Sequence, residues 1–333
     1  MRIPSLLLFF YLICGVINAQ VITATVYDSD TKEPIIGASV YYDGTTIGTA
    51  TNANGQFKID YKVYLNAPIV ISFIGYTTVL HNKDDLQQMD KVFLKPSATK
   101  MPELVFKADT WSREKKLRIF KAEFLGRSKG ASLCRIVNEK DIQLVYNPVN
   151  KILRAYCDEP IIIRNKYLGY DITYNMVDFF VEFTYTPDLI RITKEVYYAG
   201  TSFFSEIGKP TKKKYVEARL NEFEGSKLEF FRTLAGRNLS DSKYEIFYDT
   251  LKVEPEKYLA IENQKIHKKV TMPINKLTVL YDRTSQSIIQ LDTTEKHFFV
   301  NDYGIHFPAD KLKFGGDFGV QRISSMLPKD YNL

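Results

Sequence analysis

Cysteine, histidine and tryptophan are scarce in this sequence, with three, four and one copies among 333 residues. A structural zinc site needs four Cys or His ligands at short spacing, and the sequence offers no such group. A zinc carboxypeptidase needs a His with a Glu three residues later and a second, distant His. None of the four histidines has a Glu at that position. We therefore expect no metal ion and no cofactor, and we identify no catalytic residue.

The sequence also lacks long apolar runs and a large excess of charge of one sign. The formal net charge is +6, and basic and acidic residues are interspersed except at residues 212–214. Proteins that bind nucleic acid usually carry a dense basic stripe, so we expect no nucleic-acid partner. The three lysines at 212–214 are more typical of the solvated start of a helix than of a lipid-binding patch. Beyond residue 19 no stretch is apolar enough for a membrane helix, so we expect no transmembrane segment in the mature chain.

Residues 1–19 have the pattern of a secretory signal peptide. Arg2 supplies the positive start, residues 6–13 form a short apolar core, and Ala19 offers a small residue at the cleavage site. Cys14 raises the alternative of a lipid anchor, but a bulky isoleucine precedes it where a small residue is needed. We therefore expect an exported protein, periplasmic, secreted or associated with the outer membrane, with a soluble mature chain.

The next segment, residues 20–95, predicts a β-sandwich. Tyr and Phe are abundant, at 22 copies each, and both favour strands. Short apolar runs alternate with turn signals, as a sandwich requires. Asp-Gly at 43–44 and Asn-Gly at 54–55 are typical of hairpin turns, because Gly takes a positive φ at low cost. Residues 69–74 are apolar on nearly both faces, which predicts a central strand.

Five segments follow one another in this region: Val21-Ile-Thr-Ala-Thr-Val-Tyr-Asp28, Glu33-Pro-Ile-Ile-Gly-Ala-Ser-Val40, Gly44-Thr-Thr-Ile-Gly48, Thr51-Asn-Ala-Asn-Gly55-Gln-Phe57 and Ile71-Ser-Phe-Ile-Gly-Tyr76. Their order resembles the carboxypeptidase-regulatory-like domain, a transthyretin-like (prealbumin-type) β-sandwich of exported proteins. One departure is Ala24, where the family usually has Gly, and alanine tolerates a strand better. The resemblance implies a rigid accessory module and no activity of its own.

A linker at residues 96–110 separates the sandwich from residues 111–333. Apolar spacing there predicts one helix over 113–125 and a second over 212–235, interrupted at Gly225. Strand-like runs occupy much of the remainder, at 142–146, 152–156, 160–163, 170–185, 189–198 and within 243–320. We expect a turn to break the run at 170–185. We predict a mostly β chain in which the sandwich is followed by an α+β domain with antiparallel strands and about two helices.

Three further segments extend the comparison to nearly the whole mature chain: Phe124-Leu-Gly-Arg-Ser-Lys-Gly-Ala-Ser-Leu-Cys134, Ile161-Ile162-Ile163-Arg164-Asn165-Lys166-Tyr167-Leu168-Gly169-Tyr170 and Val320-Gln-Arg-Ile-Ser-Ser-Met-Leu-Pro-Lys-Asp-Tyr331. They resemble an exported bacterial family that pairs the same sandwich with an uncharacterised C-terminal domain. The second helix matches the family's pattern at Arg219, Gly225, Ser226, Phe230 and Arg232. Glu229 stands where relatives have His, so no role of that imidazole carries over. The resemblance implies an architecture and no reaction.

Serine and cysteine are the candidate nucleophiles, and neither comes with a catalytic context. Ser128 stands in a Gly-x-Ser-x-Gly pattern, which serine hydrolases place between a strand and a helix. Here a helix precedes the pattern, so an ordinary turn after that helix is predicted. Cys134 and Cys157 are the cysteines of the mature chain. An oxidising compartment permits a disulfide between them, and two buried free thiols are the alternative.

Two tyrosines of the second region are weak candidates for ligand binding. Tyr170 and Tyr174 share a strand face, which Phe180 continues if the register holds. Aromatic side chains on one face of a sheet either form core or offer a platform on which a sugar ring stacks. Both interpretations stay open at the level of sequence.

Two arginines of the second helix are the other weak binding candidates. Arg219 lies three residues before Glu222, and Arg232 lies three residues after Glu229, so each is predicted to form a surface ion pair within the helix. A buried Arg–Glu pair that binds a ligand is the alternative.

These observations favour a non-enzymatic binding or assembly accessory at the bacterial outer membrane, with an envelope or outer-membrane protein as its partner. A hydrolase acting on peptides or glycans, with an unrecognised site in the C-terminal domain, is the first alternative. A glycan-binding module is the second. We place the non-enzymatic hypothesis first because the sequence contains no recognisable catalytic set. A fold alone does not define a function.

Overall fold

The computed structural model describes residues 21–62, 65, 67–97, 109–188, 190–209, 212–264, 267–292, 294–308 and 311–332. The predicted signal peptide, with Cys14, and most of the predicted linker lie outside these residues. The described chain is mostly β, with 22 strands in five sheets and seven helices, of which three are longer than five residues. The predicted fold class is therefore confirmed.

The N-terminal part contains seven strands and one short helix: β1 (Val21–Asp28), β2 (Ser39–Tyr42), β3 (Gly48–Ala50), β4 (Gln56–Asp60), β5 (Ile69–Ser72), β6 (Val79–His81), α1 (Lys83–Gln87) and β7 (Lys91–Leu94). They form a sandwich of two sheets, ordered β4-β1-β7 and β3-β2-β5-β6. Alternate residues of β1, among them Ile22 and Val26, enter the core between the sheets. All four residues of β5 are buried, as predicted for a central strand.

The middle of the chain forms a six-stranded antiparallel sheet covered by a helix. Its elements are α2 (Arg113–Phe124), α3 (Lys129–Ser132), β8 (Cys134–Ile136), β9 (Gln143–Asn147), β10 (Ile152–Tyr156), β11 (Ile161–Asn165), β12 (Tyr170–Tyr185) and β13 (Arg191–Glu206). β13 pairs along one edge of β12, and β11 and β10 pair with the two halves of its other edge. Helix α2 packs Phe120 and Phe124 against Phe179 of the sheet.

A β-bulge changes the face of β12 that reaches the core. The register with β13 shifts at Val177. Before the bulge the even-numbered residues are buried, including Tyr170 and Tyr174, and after it the odd-numbered residues are buried, beginning with Phe179. The prediction that Phe180 continues the face of Tyr170 is wrong, because one extra residue in a strand moves all later side chains to the opposite face.

The last part of the chain comprises α4 (Lys213–Phe223), α5 (Lys227–Ala235), β14 (Tyr244–Tyr248), β15 (Leu251–Val253), α6 (Pro255–Tyr258), β16 (Ala260–Asn263), β17 (Lys268–Thr271), β18 (Lys276–Tyr281), β19 (Ser285–Leu291), β20 (His297–Val300), β21 (His306–Phe307), β22 (Leu312–Gly315), α7 (Gly316–Val320) and a 3-10 turn (Ile323–Ser325). The sheets are ordered β15-β14-β18-β19-β22 and β16-β17-β20-β21. The predicted second helix is present as α4 and α5. Gly225 interrupts it with a φ of +71°, which favours glycine. Phe230 and Phe231 of α5 enter the core that both sheets share.

Candidate functional site

The sandwich meets the rest of the chain at the turn between β2 and β3. Gly44 N donates to Ser202 O over 2.6 Å, and Phe204 N donates to Thr45 O over 3.0 Å. The backbone of the turn therefore pairs with the end of β13. Gly44 has a φ of +74°, a conformation that a side chain would strain.

Two residues near the C-terminus hold the same turn from another side. Lys329 Nζ lies 2.8 Å from Asp43 Oδ2. Asp330 accepts hydrogen bonds from the backbone N–H and the hydroxyl of Thr46. The turn is thus held between β13 and the C-terminal segment. We call the contact of residues 43–46 with these two elements the junction.

Buried polar groups complete the junction. Asn175 Nδ2 donates to Tyr41 OH over 2.5 Å, and the Thr201 hydroxyl lies 3.3 Å from the same oxygen. Burial raises the pKa of Tyr41 to about 12. Asp43 Oδ1 accepts the backbone N–H of Ser202 over 2.8 Å. Because these groups would lose their partners if the sandwich moved away, they fix its position against the sheet.

Arg232 positions the C-terminal segment and does not pair with Glu229 as predicted. Its guanidinium donates to the backbone carbonyls of Tyr303, Lys329 and Tyr331 over 3.2, 3.1 and 2.7 Å. Removal from water lowers its pKa. Two of these acceptors flank the Asp330 that binds the turn, so Arg232 stabilises the junction and is not free for a ligand.

Glu229 is occupied at the start of helix α5. Ser226 Oγ accepts from Glu229 N, and Glu229 Oε2 accepts from Gly225 N over 2.6 Å. This exchange is a variant of the capping box. The same carboxylate oxygen accepts from Tyr244 OH over 2.9 Å. The predicted pair with Arg232 does not form, because the two side chains face different partners.

Arg219 is a buried structural residue that lies on the Tyr170 ring, with Cζ 3.9 Å from the ring centroid. It donates to Glu206 Oε2 over 2.6 Å and to Leu168 O over 2.8 Å. The predicted pair with Glu222 is wrong, because α4 turns Arg219 towards the end of β13, where Glu206 lies. A buried Arg–Glu pair is present, but its donors are already used by the protein.

Tyr170 and Tyr174 belong to the core, with 2% and 3% of their surface exposed. Tyr174 packs edge-on against Phe124 at 5.2 Å, and Tyr170 packs edge-on against Phe204 at 5.6 Å. A sugar ring cannot stack on either side chain. The interpretation of these two tyrosines as a glycan platform is therefore wrong, and the core interpretation is the correct one.

Cys134 and Cys157 are both free thiols, so the disulfide alternative is not the one found. Cys134 lies in β8 and Cys157 follows β10, on opposite sides of the central β12. Burial raises the pKa of Cys134 to about 12 and that of Cys157 to about 11. Since the thiolate is the nucleophile, neither cysteine is suited to covalent catalysis near neutral pH.

Ser128 lies in the turn after α2, as predicted. Its hydroxyl accepts the backbone N–H of Ala131 and thereby caps α3. A second hydroxyl, Ser324 Oγ, lies 3.4 Å away, and a serine is not a base. Among the described residues, no group of three or more His, Cys, Asp or Glu is placed to hold a metal ion.

A polar groove of about 590 Å³ runs beside the unpaired edges of β3 and β4. Hydroxyl and amide side chains dominate its lining, which includes Thr25, Thr49, Asn52, Gln56, Lys58 and Asp90. Small-molecule sites usually combine apolar walls with a few convergent polar groups. Ala24, Ala50 and Phe57 supply apolar surface here as well, but the lining contains no histidine, no cysteine and only one carboxylate, so we assign the groove no chemistry. None of the helices in the described part of the chain has the length and apolarity that a membrane span requires.

The residues of the junction are the ones that sequence reasoning missed. In the sequence, Asp43 stands out only as part of a turn signal, and Lys329 only as part of residues 320–331. No local pattern pairs residues that lie 286 positions apart. The resemblance of residues 320–331 to the ending of an exported bacterial family is the sequence signal that points to this segment.

Residues 22–106 match the sequence model of the CarboxypepD_reg-like domain. The N-terminal sandwich is a domain of this family, as predicted. A stretch of 57 residues is 42% identical to part of the TonB-dependent receptor SusC of Bacteroides thetaiotaomicron. The matched stretch covers 17% of this chain and 6% of the receptor. The chain therefore matches a small fraction of the length of that relative, and the similarity concerns one domain.

Proposed function

We propose that this protein is a non-enzymatic accessory of the bacterial cell envelope that binds an envelope or outer-membrane protein. The observation that carries the proposal is the N-terminal sandwich, because the same type of domain occurs in a TonB-dependent receptor. The signal-peptide pattern of residues 1–19 supports export. Periplasmic or outer-membrane location is part of the same proposal.

The junction supports a scaffold role for the sandwich. Tyr41 and Asp43 bind the rest of the chain through one sheet, whereas the outer face of the other sheet, β4-β1-β7, carries exposed aromatic surface. Phe93 is 44% exposed there and stacks on Tyr27 with centroids 5.7 Å apart. Lys32 Nζ lies 5.0 Å from the Phe93 ring. Aromatic residues are enriched in protein interfaces, so we infer that this face binds the partner.

The state of the candidate nucleophiles supports a role without catalysis. The hydroxyl of Ser128 caps a helix, and the thiols of Cys134 and Cys157 have raised pKa values. A hydrolase would need a cleft with two carboxylates, or a Ser or Cys beside a base. The hydrolase alternative stays a prediction, and we place it second.

An affinity pull-down from the native envelope, quantified by mass spectrometry, tests the proposal. Tagged mature protein is compared with Phe93→Ser and with Leu251→Ser, a control at another exposed apolar residue. We expect the wild type and the control to recover the same partner, and Phe93→Ser to recover about tenfold less, since one interface anchor contributes about 1–3 kcal/mol. If Leu251→Ser alone fails to recover the partner, the binding surface lies at β15 and not at Phe93. Failure to recover any reproducible partner would contradict the proposed function.

A further inference from the structure

Two hairpin turns lie at the same end of the six-stranded sheet. Residues 148–151 connect β9 to β10, and residues 186–188 and 190 belong to the connection of β12 with β13. Because β10 pairs antiparallel with the second half of β12, β10 begins where β12 ends. Phe183 N donates to Lys151 O over 2.9 Å, which joins the two strands next to the turns. We call this part of the sheet the hairpin end, residues 148–151, 185–188 and 190–192.

Apolar side chains of the hairpin end are exposed to solvent. Val149 is 81% exposed in the first turn, and Ile190 is 62% exposed in the second. Ile192 and Tyr185, beside the second turn, are exposed as well. Single exposed apolar residues are ordinary on a protein surface. Four of them at one end of a sheet form a patch of the kind that marks an interaction site.

Three positively charged side chains lie beside this patch. Lys151 Nζ lies 5.3 Å from the centroid of the Tyr185 ring. Arg191 Cζ and Lys115 Nζ lie 4.9 and 4.0 Å from the centroid of the Trp111 ring. Aromatic faces attract cations, but they carry no net charge. The three side chains therefore keep their full positive charge at the hairpin end.

Carboxylates do not neutralise this charge. Among the residues that the structure describes, none of the three cations forms an ion pair. Asp109 accepts the backbone N–H of Trp111, but it pairs with Lys116 over 2.6 Å. Asp188 lies in the second turn and offsets one charge at most. The hairpin end therefore has an excess of positive charge next to exposed apolar side chains.

Trp111, the single tryptophan of the sequence, precedes α2 and lies beside the hairpin end. Its ring stacks on Tyr146 with centroids 3.6 Å apart and is partly exposed. Tryptophan is enriched at the boundary between membrane and water, because its ring is large and apolar but carries a polar N–H. Apolar and aromatic side chains together with lysine and arginine are typical of protein surfaces that bind a lipid interface.

We propose that the hairpin end binds the surface of an anionic phospholipid membrane. Val149 and Ile190 enter the boundary between headgroups and acyl chains, and Lys151 and Arg191 lie at the level of the phosphates. Apolar burial and attraction to anionic lipid both strengthen such binding. A turn at the end of a sheet can enter a fluid surface without a matching cavity, whereas an acidic protein would have to supply one. The hairpin end is on a different part of the chain from the Phe93 face, so this proposal does not depend on the proposed function.

Co-sedimentation of the mature protein with vesicles tests the proposal. Vesicles of phosphatidylcholine alone are compared with vesicles that also contain phosphatidylglycerol, each at low and high salt. We expect the wild type to prefer the anionic vesicles and to bind them less tightly at high salt, because salt screens the charges. Val149→Ser/Ile190→Ser should bind at least about tenfold more weakly, since it loses the apolar contacts. Leu251→Ser/Val320→Ser is the matched control, as both residues are 69% exposed elsewhere, and it should bind as the wild type does.

The charged residues are tested in the same assay. Lys151→Gln/Arg191→Gln should weaken binding to the anionic vesicles by about tenfold or more. Lys213→Gln/Lys214→Gln removes the same charge from the basic run at the start of α4 and should have little effect. If this control loses binding and the variant of the hairpin end does not, the basic run is the lipid site and the proposal is overturned.

The fluorescence of Trp111 locates the bound surface without a mutation. Brominated phosphatidylcholine in the anionic vesicles quenches a tryptophan that lies at the membrane interface. We expect the emission of the wild type to be quenched on binding, since Trp111 lies beside the hairpin end. Binding without quenching would show that another surface holds the lipid. That result, no binding of the wild type, or binding without preference for anionic lipid overturns the proposal.

Discussion

Asp43 Oδ2 and Lys329 Nζ lie 2.8 Å apart, although 286 residues separate them in the sequence. The ion pair joins a turn of the N-terminal sandwich to the last described segment of the chain. Asp43 uses its second oxygen to accept the backbone N–H of Ser202 in β13. One carboxylate therefore connects three parts of the molecule that local sequence patterns describe separately.

Replacing Asp43 by Ala should destabilise the folded protein by about 1–3 kcal/mol, because a buried N–H and an ammonium lose their acceptor together. Equilibrium urea unfolding, followed by tryptophan fluorescence and far-UV circular dichroism, measures the change. Asp188→Ala is the matched control, since Asp188 is exposed and should change the free energy of unfolding by less than about 0.5 kcal/mol. Equal stability of the two variants would mean that the junction does not hold the sandwich.

Local patterns in the sequence predicted much of the architecture. The paired turns and apolar runs identified the sandwich, and β10 (Ile152–Tyr156) and β12 (Tyr170–Tyr185) have the predicted bounds. The turn expected within β12 is wrong, because the strand is continuous and contains a bulge. The positive φ of Gly225 explains why the second helix is interrupted where it is. These features depend on residues close together in the chain, so a single sequence contains them.

The errors concern features that depend on distant parts of the chain. The bulge at Val177 arises in the pairing of β12 with β13, and the residue types of β12 do not predict it. The partners of Arg219 and Arg232 are a glutamate in another strand and carbonyls of the C-terminal segment. Spacing within a helix predicts only partners in that helix. The candidate site was less predictable than the fold for this reason.

Glu229→His should lower the free energy of unfolding by about 1–2 kcal/mol. The imidazole cannot accept from both Gly225 N and Tyr244 OH, as the carboxylate does. Glu229→Gln keeps an acceptor oxygen of the same length and should retain most of the stability. Urea unfolding at pH 7 compares the three proteins. A histidine variant as stable as the wild type would show that the cap contributes little here.

The two thiols should react very slowly with iodoacetamide in the native protein at pH 8. With pKa values of about 12 and 11 against an ordinary value of 9.0, the thiolate fractions of Cys134 and Cys157 are lower by about a thousandfold and a hundredfold. In denaturant without reductant, both cysteines should become alkylated, which intact mass spectrometry of the chain lacking residues 1–19 detects. If denatured protein takes up label only after reduction, the two cysteines form a disulfide.

His306 should make the protein less stable as the pH falls below neutral. Burial and the positive charges of Lys227 and Lys329 lower its pKa from 6.5 to about 3. Between these values the unfolded chain binds a proton that the folded protein does not bind. The contribution of neutral His306 is therefore complete above pH 6.5 and is lost as the pH falls towards 3.

His306→Phe keeps an aromatic ring between Phe231 and Phe314 and removes this titration. Urea unfolding of the wild type and the variant at pH 7, 6, 5 and 4 separates the effect from that of the carboxylates, which both proteins share. The free-energy difference should move in favour of the variant on acidification, approaching about 1.4 kcal/mol per pH unit. His297→Phe, the same substitution in β20, is the control. If wild type and His306→Phe lose stability in parallel from pH 7 to 4, the imidazole is already solvated in the folded state.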